Sequence, residues 1–186
     1  MIEEVHSKAH EFAHHGEAEY RFCPVCGHPL QTRVIKSIEP ERLVCSRCGF
    51  VFYLDPKVAV GTLGTLGGKV ILLRRGIEPA YGRWVFPGGY VNRGETAEEA
   101  GIRETKEEVN LDVRIERLLN VYSYPGRPVI VIVYAVSVIG GKLSAADEAI
   151  EARTFAPEEI PWSQLAFPST REALLEYIRK HLDYKG

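Results

Sequence analysis

No stretch of this 186-residue chain approaches the ~20 consecutive apolar residues that a membrane-spanning helix needs. The opening MIEEVHSKAHEFAHHGEAEY has no apolar signal-peptide core, and it carries acids where a signal peptide carries bases. Excess charge is also missing. Lysine and arginine number 23 against 25 acids, a net charge of −2, so no strong overall field draws the chain to duplex DNA or anionic lipid. Repeats and low-complexity tracts are absent. Cysteines are few, four in all. These absences leave a cytoplasmic globular protein as the expectation, in a reducing compartment where the cysteines do not pair as disulfides. A hydrophobic content of 45% and a charged content of 26% supply ordinary core and surface material.

All four cysteines sit in two knuckles, Cys23-Pro-Val-Cys26-Gly27 and Cys45-Ser-Arg-Cys48-Gly49, about 18 residues apart. Two such pairs supply four thiolates to one tetrahedral Zn²⁺, and the following glycines suit tight turns whose N–H groups face sulfur. A unit of about 35 residues buries little core, so metal is its expected stabiliser. Four thiolates leave no position for a reacting water, which makes the zinc structural. Arg21, Arg33, Lys36, Arg42 and Arg47 are offset by Glu39, Glu41 and Asp55. Nucleic-acid contact through this ribbon is therefore an open but disfavoured alternative. The expected organisation is a polar helical lead-in over 1–19, a zinc ribbon over 20–56 and a larger domain over 57–186. His6, His10 and His14 align on one face of the lead-in, where a solvated face is favoured over a metal site.

In the larger domain, VAVGTLGTL and KVILLRR read as strands joined at Gly67-Gly68. WVF reads as a short buried segment and PGGYVNRGE as turns. VRIERLLNVYSY and RPVIVIVYAVSVI read as strands, the second central, and 151–156 as a last strand. Thr96 with Glu99 forms a capping-box pattern opening a helix to about Val109. Ser169 to His181 reads as an amphipathic helix with Leu174, Leu175 and Ile178 inward. Strands and helices mix without regular βαβ alternation, which indicates a mixed-sheet α/β sandwich.

The stretch RETKEE, 103–108, concentrates acid. At 100° per residue with Glu104 at zero, Glu107 falls near −60° and Glu108 near +40°, while Ile102, Thr105 and Val109 fall on the flank expected to meet the sheet. Lys106 points away. Ala97, Ala100 and Gly101 share the acidic sector and leave room beside it. Three clustered carboxylates raise one another's pKa unless a cation offsets them, and Mg²⁺ or Mn²⁺ is the natural counter-charge. The alternative is a solvated acidic face with i,i+4 partners.

From Gly89 to Leu111 the spacing is Gx5Ex7RETxEExNL. This resembles the Nudix box, Gx5Ex7REUxEExGU with U apolar, and the preceding WVFPGG resembles that family's approach to it. Thr105 departs at an apolar position, and Asn110 replaces a glycine at a left-handed helix end, which asparagine tolerates. The resemblance covers about 58–186. With the ribbon, CSRCGFVFYLDPKVAVG and EEIPWSQLAFPSTREALLEYI resemble Nudix hydrolases of the ADP-ribose/FAD pyrophosphatase type, related to NADH pyrophosphatases. It implies an α/β/α sandwich and Mg²⁺-dependent hydrolysis of a nucleoside diphosphate linked to another moiety. It further implies a small-molecule nucleotide substrate and a homodimer.

By that resemblance Glu104, Glu107, Glu108 and the Gly88 backbone hold Mg²⁺, and Arg103 orients a glutamate, with Glu95 as its partner. Gly89 admits backbone to phosphate. Glu107 or Glu108 within the box, or Glu148 or Glu151 outside it, is the candidate base. Tyr81 and Tyr90 are candidates to stack on a base; Trp84, beside them, is better explained by core packing. The segment Ser163–Ser169 echoes the SQPWPFPxS array of NADH pyrophosphatases but is shorter and lies far downstream, so that signature counts as absent. ADP-ribose or FAD is the first-choice substrate. NADH or another dinucleotide, an RNA 5′ end, and a silent nucleic-acid-binding regulator are the alternatives; the retained acids oppose the last.

Overall fold

The computed structural model describes residues 20–181; the lead-in helix expected over 1–19, with His6, His10 and His14, lies outside the described residues. Two compact units divide between Asp55 and Pro56. In the first, β1 (Leu30–Arg33), β2 (Arg42–Cys45) and β3 (Val51–Phe52) form an antiparallel sheet in that order. Tyr20 packs on Phe52, with ring centroids 4.6 Å apart. Only Cys23, Val44 and Cys45 of its described residues are buried. Apolar burial this sparse contributes little to holding a fold.

The second unit has two sheets. The strands β4 (Lys57–Leu63), β5 (Thr65–Leu66), β6 (Lys69–Arg75), β7 (Trp84–Val85) and β8 (Gly88–Tyr90) precede the helix α1 (Ala97–Val109). They are followed by β9 (Leu111–Tyr122), β10 (Val129–Gly141), β11 (Ala149–Phe155) and the helix α2 (Pro168–His181). One sheet has the order β8-β4-β10-β9 and is mixed: β10 runs parallel to β4 and antiparallel to β9. The other, β11-β6-β5 with β7 against β6, is antiparallel. The mixed α/β sandwich expected from the sequence is present. Leu63, Leu72, Leu73, Val60, Val70 and Val133 form its fully buried centre. Among the described residues no helix is long and apolar enough to cross a membrane.

Three local expectations change. The run VAVGTLGTL is not one strand: it breaks at Gly64 and serves both sheets, and only its end, β5, makes the Gly67-Gly68 hairpin with β6. A Cβ at Gly64 would stand 2.9 Å from Val136, so the chain creases where a side chain has no room. PGGY is not only turn, because Gly88–Tyr90 pairs with β4. Ile102 and Leu175 are exposed rather than inward. Helix α1 rests instead on Ala100, Gly101, Thr105 and Val109. A Cβ at Gly101 would stand 3.3 Å from the side chains of Val60 and Thr62, so this glycine lets the helix axis close on β4 and turns the wheel away from Ile102.

Candidate active site

The acidic stretch lies in the second half of α1, and both helix ends are fixed by sequence-local chemistry. At the start, Thr96 accepts the Glu99 N–H at 3.1 Å while Glu99 accepts the Thr96 N–H at 2.8 Å, the reciprocal box. At the end, Asn110 is left-handed with φ 55°, and its side chain donates to the Lys142 carbonyl. Thr105, at the box's apolar position, is buried and bonded twice. Its hydroxyl donates to the Gly101 carbonyl at 2.7 Å, so the Thr62 hydroxyl, also 2.7 Å away, must donate to it.

The loop ahead of the helix is seated on the acids. The Gly88 N–H donates to Glu108 Oε2 at 2.8 Å. A Cβ on Gly89 would stand 2.5 Å from the Glu104 carboxylate, so no other residue lets the backbone approach this closely. Glu108 is buried, and burial pushes its carboxyl up to about 8 against the Gly88 bond. Burial also raises Glu104, partly opposed by Arg103. Arg103 ties the rest: Nε and Nη2 donate to Glu95 at 3.1 and 2.7 Å, and Nη1 donates to Glu104 at 2.8 Å and to Glu107 at 2.9 Å. Nη2 also donates to the Tyr90 carbonyl at 3.2 Å. A guanidinium has five donors, and all are committed. Arg103 and the Asn92 N–H hold Glu95 below the usual carboxylate range.

Glu104, Glu107, Glu108, Gly88, Gly89 and Arg103 are thus brought together. Glu151 is not part of this cluster; its carboxylate faces Arg74 at 3.8 Å and Arg153 at 3.6 Å. Glu148 instead is the late acid whose charge bears on both Glu104 and Glu108. Tyr90 follows Gly89 in a strand, so its ring projects to the face opposite the acids, where Lys57 lies 4.9 Å from its centroid. Tyr81 is exposed in the 76–83 loop. Trp84 is core, edge-on to Phe155 at 4.9 Å, as its sequence context indicates. Two residues at this end of the fold escaped sequence reasoning, Arg75 and Phe167, whose guanidinium and ring lie 5.4 Å apart. The Ser163–Ser169 segment that holds Phe167 bonds the β7 edge through the Ala166 N–H and the Trp84 carbonyl. Residues so distant along the chain carry no local signal of that contact.

The acid cluster offers hard oxygen donors, one of them buried, around a single cation whose donors are spent. That donor set fits a hard divalent ion. Among the described residues, only Cys23, Cys26, Cys45 and Cys48 bring three or more candidate ligand atoms within 4.8 Å of one another, so the glutamates do not close that far. The cysteine sulfurs lie 3.5 to 3.7 Å apart where in contact, close to the edge of about 3.8 Å expected for four thiolates around zinc. N–H groups of Val25, Arg47 and Cys48 point at sulfur at 3.4 Å, and the Cys48 N–H holds the Cys45 thiol down to about 6. Gly27 and Gly49 take positive φ of 72° and 73° in the two knuckles.

Comparison with known proteins identifies two families along the chain. Residues 55–177 match the NUDIX domain family, and residues 21–54 match the Nudix N-terminal zinc-ribbon family. The ADP-ribose pyrophosphatase of Methanocaldococcus jannaschii is 42% identical over 131 residues, 68% of this chain and 76% of that protein. The NAD-capped RNA hydrolase NudC of Stutzerimonas stutzeri is 28% identical over 166 residues, 87% of this chain and 55% of the relative. The chain thus spans about half the length of the NudC relatives. A crystal structure of a NUDIX hydrolase from Nitrosomonas europaea superposes with a TM-score of 0.82 at 32% identity, covering 87% of this chain and 92% of that one.

Proposed function

The chain belongs to the Nudix hydrolase family, and we propose that it hydrolyses a nucleoside diphosphate linked to a second moiety, with ADP-ribose the first substrate and AMP and ribose 5-phosphate the products. The observation that carries this reading is the Gly88-Gly89 loop lying directly on Glu104 and Glu108, where any side chain on Gly89 would displace the acid. Glu104, Glu107, Glu108 and the Gly88 carbonyl would hold Mg²⁺ or Mn²⁺, and Cys23, Cys26, Cys45 and Cys48 would hold a structural Zn²⁺. Bound there, the divalent ion polarises the phosphoryl oxygens and lowers the pKa of water. Arg103 fixes the orientation of Glu95, Glu104 and Glu107 and does not itself reach substrate, because its donors are spent. Glu148, exposed and electrostatically coupled to Glu104 and Glu108, is the acid outside the helix suited to take a proton from the attacking water. Glu151, neutralised by two arginines, is less suited.

A dinucleotide such as NADH is the second reading. It is favoured by relatives named as NAD-capped RNA hydrolases. AMP release from ADP-ribose, FAD, NADH and diadenosine compounds, each with Mg²⁺ or Mn²⁺, decides between them. ADP-ribose should give the highest kcat/KM, and Glu108→Gln should abolish release. A higher value for NADH selects the second reading; release from none refutes both.

A further inference from the structure

The acids of this site differ in how their carboxylates are held. Glu95, Glu104 and Glu107 accept from Arg103, and Glu108 accepts the Gly88 N–H. The Glu148 carboxylate, among the described residues, has no hydrogen bond or ion pair. Its aim toward the helix acids is therefore set by its own backbone. We propose that Asp147, held in a left-handed backbone conformation, is the positioning residue that turns Glu148 toward the attacking water. This rests on the reading of Glu148 as the proton acceptor, and it adds a residue that acts through its neighbour.

The segment that carries Glu148 is pinned on both sides of Asp147. Behind it, the Ser144 N–H donates to the Val109 carbonyl at 3.2 Å and the Ala146 N–H to the Glu108 carbonyl at 3.0 Å. Those bonds satisfy carbonyls that the C-terminal end of α1 leaves open. Ahead, the Glu148 carbonyl accepts the Gly76 N–H at 2.7 Å, just past the end of β6. A Cβ on Gly76 would stand 2.8 Å from that oxygen, so glycine is what permits the contact. Asp147 alone separates the two anchors, and the Ala149 N–H, donating to the Ala146 carbonyl at 3.0 Å, closes a four-residue turn around it. The reversal falls on Asp147, whose φ is 48°. That region suits glycine, asparagine and aspartate, and it is an outlier for a β-branched residue. The Asp147 side chain is exposed and, among the described residues, makes no hydrogen bond or ion pair. What the position needs is therefore a backbone that tolerates this φ, not a carboxylate. A residue that swings back to negative φ rotates the chain beyond it relative to α1, and the Glu148 carboxylate moves with it.

The test compares Asp147→Val, Asp147→Gly and Asp147→Asn in the full zinc-loaded chain. One readout is AMP release from ADP-ribose in Mg²⁺ buffer, and the other is amide hydrogen exchange at Gly76 followed by NMR. Asp147→Val should lower kcat about 10- to 100-fold with KM within about 2-fold, because alignment of the proton acceptor is lost and substrate binding is not. The Gly76 amide, released from the Glu148 carbonyl, should exchange at least about 10-fold faster. Asp147→Gly and Asp147→Asn, which accept the left-handed backbone without the carboxylate, should hold kcat within about 3-fold of wild type and keep Gly76 protected. If Asp147→Val does not fold, Asp147→Ala carries the comparison, with the same signs and a smaller effect. Equal losses in the glycine and valine variants assign the effect to the carboxylate and overturn the proposal. Unchanged Gly76 exchange in Asp147→Val, or unchanged kcat there when Glu148→Gln is inactive, also overturns it. Faster Gly76 exchange with kcat retained in both Asp147→Val and Glu148→Gln upholds the turn and refutes the proton-acceptor reading instead.

Discussion

Replacing Thr105 by valine restores the apolar residue that the box pattern calls for, and it should destabilise the protein. Thr105 and Thr62 are each 2% exposed, with hydroxyls 2.7 Å apart. Because Thr105 gives its only proton to the Gly101 carbonyl, Thr62 has Thr105 as its acceptor. Thr105→Val therefore strands a buried donor on β4, at a cost of about 1–3 kcal/mol. Thr62→Val strands nothing, since Thr105 keeps its bond to Gly101, and should cost below about 1 kcal/mol. The double variant removes both hydroxyls from an apolar site and should fall well short of the sum, a coupling that contact between the two predicts. Both tryptophans, Trp84 and Trp162, belong to the unit that starts at Pro56, so their fluorescence reports its unfolding alone. For a unit of this size 1 kcal/mol moves the midpoint by roughly 3–5 °C, placing Thr105→Val well below Thr62→Val. Equal losses for the two single variants, or a double variant equal to their sum, would refute the assigned direction of the bond.

Three other outcomes are expected. Gly89→Ala should push the Glu104 carboxylate by on the order of 1 Å and lower turnover about 100-fold, read as AMP release, with the fold retained. Elemental analysis should find about one zinc per chain, and chelation should expose residues 20–55 to protease, because so few of their side chains are buried. Glu176 accepts from Lys180, Asn120 and Tyr122, and Lys180 above all holds its carboxyl down to about 2. Its folded value lies below the unfolded value near ~4.3, so this contribution is complete above that value and is lost as pH falls toward 2. Glu176→Gln should flatten the fall in melting temperature between about pH 5 and 3, and parallel curves would count against the network.

What the sequence made legible was chemistry with a short range along the chain. Thr96 and Glu99 fixed one helix end and Asn110 the other, and both hold in the structure. The paired cysteines announced their own cluster. The misjudged features depend on contacts between distant residues. An ideal wheel puts Ile102 toward the sheet, but the close approach at Gly101 rotates the buried flank away from it. Alternation along β11 cannot reveal the irregularity between Ala149 and Glu151, which sets Ala149 opposite Arg75 and Glu151 opposite Arg74. That one offset sends Glu151 to its arginine partners and leaves Glu148 as the acid on the rim. Arg75 ends β6 and Phe167 lies just ahead of α2, and nothing in either segment names the other.

The crease at Gly64 has a consequence for how the molecule can fail. One uninterrupted thread leaves the mixed sheet and enters the antiparallel one, with the single residue Gly64 between β4 and β5. Gly88 is moored to the first layer through β4, and Arg75 terminates the second through β6. Twelve covalently consecutive positions, Gly64 to Arg75, thus join the layer that carries Gly88 to the layer that β6 belongs to. On heating, the two sheets should therefore unfold together, with tryptophan fluorescence and AMP release lost over the same temperature range.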